Sequence, residues 1–207
     1  MTNKKMERTE ELIVEIKLAF MGTTCNFYLL EEMLVKKENI SIPQYVNYLS
    51  QIAMCIELGL KSIIINTDGF DRTHELECLF SLIPDVVKNE LWGASHGDKS
   101  FESYMSNTKK MFSDFRYMKT ESTLKKYFCE SMVNGNRTIN IKEAINTPPI
   151  EFLQNLLEGI LAYEKYIRDE AIKNMKNIDC SNPDSAIKQY AEIVKQIQST
   201  LVSKHKA

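Results

Sequence analysis

The 207-residue chain predicts an all-α fold, an up-and-down bundle of four to five core helices with further helices at its C-terminal end. Three observations carry that expectation. Glycine (7) and proline (5) are scarce, roughly half their usual share. Long segments repeat apolar residues at steps of three and four. The strong turn signals are few and fall between those segments. A hydrophobic content of 43%, a charged content of 26% and a net charge of -2 suit a globular chain with a real core.

The first helix is expected over about residues 8–36, where Leu12, Ile16, Ala19, Phe20, Thr23, Phe27, Leu30 and Leu34 draw one stripe. Gly22 interrupts it and is expected to mark close packing with a neighbouring helix. Ser41 caps the second helix and Pro43 sits in its first turn. Tyr45, Leu49, Ile52, Ala53, Ile56, Leu60, Ile63 and Ile64 form its main stripe, and Met54, Cys55 and Leu58 make its other sides apolar. That helix should be central and buried. Its few polar positions, Ser50, Glu57 and Lys61, fall on one narrow line.

An Asp68-Gly69 turn follows. A short helix capped by Asp71 or Thr73 then places His74 in its first turn, beside free backbone N–H groups. Pro84 ends it, and another short helix over 85–92 stops at Gly93. Residues 94–99 read as a polar loop carrying His96, and a long helix is expected over 100–120 with Arg116 and Tyr117 near its end. Leu124–Met132 suggests further helical turns. Asn134-Gly135-Asn136 is a turn and 138–141 a short extended segment. Pro148 and Pro149 open a helix over 150–177, and Asn182-Pro183 opens a last one. In that last helix Ile187, Tyr190, Val194, Ile197 and Leu201 form a narrow seam, suited to another helix of this chain or of a partner. Two units are therefore expected: a bundle over 1–180 and a C-terminal helix over 181–207.

Several classes drop out. No uncharged apolar run approaches the roughly 18–20 residues of a membrane span, and the N-terminal MTNKKMERTEEL has no apolar stretch behind its basic residues. Cys25, Cys55, Cys78, Cys129 and Cys180 are scattered, with neither a CxxC nor a zinc-like Cys/His cluster, so reduced thiols in a cytoplasmic protein are expected. The near-neutral charge argues against a general DNA coat. A phosphate-binding Gly-rich loop, HExxH and GxSxG are all missing, and no di-iron carboxylate set can be assembled. His74, Glu75 and Glu77 would fan apart on a helix, so no metal and no cofactor are expected.

What remains is a small constellation. Glu57 and Lys61 lie on a buried helix, where an isolated charge is costly and needs a partner. The bland alternative is an i,i+4 pair facing solvent. His74 stands at a helix start and Arg116-Tyr117 at a helix end.

In that order the residues resemble the HEPN superfamily, helical domains named for nucleotide binding in higher eukaryotes and prokaryotes. The resemblance runs from Ile56-Glu57-Leu58-Gly59-Leu60-Lys61, through a turn, to Thr73-His74-Glu75-Leu76 with Leu79-Phe80, and then to Phe112-Ser113-Asp114-Phe115-Arg116-Tyr117. It covers about residues 10–120. It implies a helical bundle that usually forms a homodimer, acting as a ribonuclease toxin, a partner of small nucleotidyltransferases, or a non-catalytic nucleotide-binding module. The ribonucleases of the family place an arginine before a histidine with four to six residues between them. Here Arg72 and His74 are separated by one residue, and no arginine stands at that spacing before His74, His96 or His205.

The expected function is therefore binding of nucleotide or RNA in a prokaryotic defence or toxin–antitoxin setting. Lys61, His74, Arg116 and Tyr117 would contact the ligand and Glu57 would serve as their structural partner. One alternative is a metal-independent endoribonuclease using His74 with Arg72 or Arg116 as acid–base and phosphate-clamping groups. Another is a non-catalytic scaffold that offers its last helix to a protein partner. The same residues could equally form a buried polar network that touches no ligand.

Overall fold

The structure, a computed structural model, describes residues 3–65, 74–93, 114, 131–175 and 182–204. Four long helices close a ring. α1 (Asn3–Val35) packs on α2 (Ile42–Ile64), and α2 packs on a helix over Pro148–Asn174. That helix packs on one over Pro183–Lys204, which returns to α1. Between these lie the short helices α3 (Leu76–Ser81), α4 (Asp85–Gly93) and α5 (Ile141–Ile145), so the two long C-terminal helices are α6 and α7. Among the described residues the fold is an all-α helical bundle with one small sheet.

Side-chain contacts fix the helix directions. Lys17 meets Ser62 and Glu31 meets Tyr48, so α1 and α2 run antiparallel. Ser62 meets Glu164 and Tyr48 meets Gln154, so α6 runs in the direction of α2. A short connection through β1 (Asn39–Ser41) suffices for the first pair, whereas the second needs the chain to return the length of the bundle.

α2 is the axis of the core, as its apolar surface on several sides requires. Tyr45, Tyr48, Leu49, Ile52, Ala53, Cys55, Ile56 and Leu60 are all fully buried. Its start follows the sequence: Ser41 is the N-cap, its backbone N–H donating to Gln44 Oε1 at 3.0 Å, and Pro43 occupies the first turn. Gly59 allows the closest contact, since a Cβ there would lie 2.5 Å from Ile160 and 2.9 Å from Phe20. Gly159 does the same for α4, with the Leu91 carbonyl 2.7 Å from where its Cβ would be.

Strands β1, β2 (Ser131–Val133) and β3 (Asn136–Asn140) form an antiparallel sheet in the order β1-β3-β2. Asn39 pairs with Asn140 and Ser131 with Thr138. Asn134 and Gly135, with φ of 50° and 77°, make the two-residue turn between β2 and β3, where positive φ suits the twist of the hairpin. Ile40 and Ile139 point from the sheet into the core, and Asn140 caps α5 through its side chain.

Four expectations are corrected here. Met132 lies in a strand, not in a helical turn, because the Asn134-Gly135 turn pairs it with Arg137. A Cβ at Gly22 would meet nothing within 4 Å, so the position marks no close helix packing. The buried line of α1 is Ile13, Lys17, Phe20, Thr24, Phe27 and Leu34, with Ala19 exposed, so the inward face is rotated from the expected stripe. His74 precedes α3 by two residues, with Glu75 as N-cap, so it is not in the first turn of a helix. α7 packs on α1 and α6, burying Ala191 and Val194. Within α1 the span Glu10–Val35 is long and apolar enough to cross a membrane by length and composition, yet it carries the core residues Ile13, Phe20, Phe27 and Leu34.

Candidate functional site

Glu57 lies in the last third of α2, and its side chain is only 3% exposed. Such a carboxylate must be paired, because taking a charge out of water costs several kcal/mol. Lys61 stands one turn later and its Nζ donates to Glu57 Oε1 at 2.8 Å. His74, arriving from the chain ahead of α3, brings Nδ1 within 2.7 Å of the same oxygen. With an ionised carboxylate as acceptor, Nδ1 carries the proton and donates it to Glu57.

Two donors thus share one carboxylate oxygen, which holds Lys61 Nζ 3.4 Å from His74 Nδ1. The Nδ1 proton points at Glu57, so this second contact is adjacency and not a hydrogen bond between the two nitrogens. Exposure grades outward through the cluster: 3% for Glu57, 11% for Lys61 and 51% for His74. The i,i+4 pair on α2 is therefore made, but on a buried carboxylate and with a third member, not out in solvent.

This arrangement has a definite chemical consequence. Nδ1–H held by a carboxylate leaves Nε2 of the ring as the acceptor or base on the open side. An ammonium beside it supplies positive charge for an anion such as a phosphate. Lys61, His74 and Glu57 are therefore brought together. Arg72, Arg116 and Tyr117 lie outside the described residues, as do His96, His205, the loop over 94–99 and the helix expected over 100–120, of which Asp114 alone is described. Asp114 is helical and buried. Among the described residues, no group of three His, Cys, Asp or Glu side chains gathers to hold a metal ion.

Two polar networks escape a reading of the sequence. Lys17 Nζ donates to Glu164 Oε2 at 2.6 Å and to Ser62 Oγ at 2.9 Å, and Ser62 Oγ donates to Glu164 Oε1 at 2.6 Å. The triad joins α1, α2 and α6 with Lys17 only 8% exposed, and its sole signal in the sequence is a lysine inside an apolar run. Nearer the other end of α2, Tyr48 donates to Glu31 Oε1 at 3.0 Å while Gln154 Nε2 donates to Tyr48 Oη at 2.9 Å. Burial, followed by the Glu31 carboxylate, holds the Tyr48 phenol far above its ordinary pKa. Both networks cross-brace helices of the bundle.

Some open grooves among the described residues lie elsewhere. One of about 730 Å³ is lined by Lys36, Lys37, Glu38, Lys142 and Glu143, where cations and anions nearly cancel. Another lies between α6 and α7, near Tyr166 and Ile197. Neither includes Glu57, Lys61 or His74. Compared with known proteins, the chain matches no family model, no curated protein and no solved structure.

Proposed function

We propose that the chain is a HEPN-like cytoplasmic protein that binds nucleotide or RNA through Lys61 and His74, with Glu57 as their anchor and Arg116 and Tyr117 completing the site. A prokaryotic defence or toxin–antitoxin setting fits that reading. One observation carries it: a half-exposed imidazole is held by Nδ1 on a buried carboxylate, with a lysine ammonium at its side. A purely internal network would have no need to leave half of the ring in water. The ammonium recognises phosphate as a point charge, and Nε2 accepts a hydrogen bond from a ribose hydroxyl or a base.

Binding of fluorescein-labelled RNA oligomers and of free nucleotides, followed by anisotropy across a salt series, tests the reading. Lys61→Gln should weaken binding and reduce its salt dependence by about one counterion. His74→Ala should weaken binding while leaving the helical content unchanged. Absent binding, or binding indifferent to both variants, would refute it.

The Nδ1 contact also favours one second reading, a metal-independent endoribonuclease. An imidazole oriented by a carboxylate is suited to take the proton of a ribose 2′-hydroxyl as it attacks the neighbouring phosphate. Incubating total RNA and tRNA with the protein in chelator would then yield fragments ending in 2′,3′-cyclic phosphate, and His74→Ala would abolish them. The scaffold reading gains no comparable support, since α7 spends Ala191 and Val194 on its own bundle.

A further inference from the structure

A cavity of about 250 Å³ lies between the N-terminal parts of α1 and α7, lined by Glu10, Glu11, Asp184, Ile187 and Lys188. One helical turn further along both helices, Ile13 and Ala191 pack together with Ile65, which holds the two helices side by side at this point. Glu10 is only 8% exposed, yet its carboxylate has no hydrogen bond and no ion pair among the described residues. That sets it apart from the other withdrawn carboxylates of the long helices. Glu57 is held by Lys61 and His74, and Glu164 by Lys17 and Ser62. A charge taken this far out of water calls for a countercharge, and the cavity is where one can enter.

From this unpaired carboxylate we propose that the cavity binds a linear aliphatic diamine, with one ammonium on Glu10, the other on Asp184 and the methylene chain against Ile187. The proposal is independent of the nucleic-acid reading. Three arguments select this ligand. The lining sets three carboxylates against one ammonium, so a cation of charge two balances it. The carboxylates are spread over two helices, and among the described residues no three of His, Cys, Asp or Glu converge to hold a metal ion. Two separated ammonium groups match that spread, and each brings three N–H donors and is protonated at neutral pH as lysine is. Ile187, 36% exposed, gives the wall an apolar surface that an alkyl stem covers and a hydrated metal ion does not. The volume also falls below the roughly 300–1,000 Å³ of sites for drug-sized ligands, which suits a short chain.

Calorimetric titration of the full chain, freed of nucleic acid and at low salt, with 1,4-diaminobutane tests the proposal. Butylamine and magnesium chloride serve as the single-ammonium and metal probes. The diamine should bind saturably, butylamine at least ~10-fold more weakly, and added sodium chloride should weaken the diamine. Glu10→Gln and Asp184→Asn should each weaken it at least ~10-fold with an unchanged helical spectrum. Without ligand, Glu10→Gln should melt no lower than the unaltered protein, because it removes a charge that has no partner. No saturable binding at about 10 mM diamine would overturn the proposal. So would magnesium or butylamine binding as tightly as the diamine, or diamine binding indifferent to Glu10→Gln.

Discussion

Glu57 Oε1 stands 2.7 Å from His74 Nδ1, and that contact ties the buried core of α2 to a half-exposed ring seventeen positions later in the chain. The two residues play different parts in stability. Glu57 is buried and accepts from Lys61 and His74, so Glu57→Gln should cost about 1–3 kcal/mol, read from the urea midpoint. His74→Ala removes a ring already half in water and should cost under ~1 kcal/mol. Equal losses would mean that His74 is as structural as Glu57.

The Lys17–Ser62–Glu164 triad predicts a strongly non-additive pair of substitutions. Lys17→Met alone leaves the Glu164 carboxylate without its cation and should destabilise by about 3–5 kcal/mol. Lys17→Met with Glu164→Leu removes both charges and should recover much of that loss. Chemical denaturation of Lys17→Met, Glu164→Leu and the double variant checks it, and a double variant as unstable as the sum of the two single ones would count against the triad.

At Gly59 any side chain would force its neighbours to move. Gly59→Ala puts a methyl group 2.5 Å from Ile160 Cγ2, which must move together with Phe20. The gain in helix propensity is only about 1 kcal/mol, and overpacking costs about 1–3 kcal/mol, so net destabilisation is expected. A melting temperature equal to or above that of the unaltered protein would show that α2 and α6 yield at this point.

Alkaline pH should weaken the fold through its buried acids. Burial pushes the Cys55 thiol from 9.0 up to about 12, and burial also raises the phenols of Tyr45 and Tyr48. The unfolded chain then releases these protons at lower pH than the folded one, so stability is full below about pH 9 and falls as pH rises toward 12. By about pH 10.5 the Cys55 contribution alone should be about 2 kcal/mol. Urea midpoints at about pH 8 and about pH 10.5 measure it, and Cys55→Ala should flatten the alkaline limb. In the native protein Cys25 should react with iodoacetamide while Cys55 stays protected.

The helical class, the place of α2 at the centre and most described helix boundaries were legible in the sequence, because those features depend on local chemistry. Ser41 and Pro43 start α2, Asn134-Gly135 turns the hairpin, and Asn182-Pro183 opens α7 whatever the rest of the chain does. The pairing of Glu57 with Lys61 was also legible, since four residues is one helical turn. The direction of α6 beside α2, the seating of Glu164 against Lys17 and the joining of His74 to Glu57 were decided only in three dimensions. Those contacts span 17 to 147 positions, and their energy comes from pairing charges that the bundle has already withdrawn from water. The same holds for α1. Its residues are apolar on both sides, and only the packing of α2 and α7 settles that Phe20 and Phe27 are core while Leu18 and Leu29 are left open.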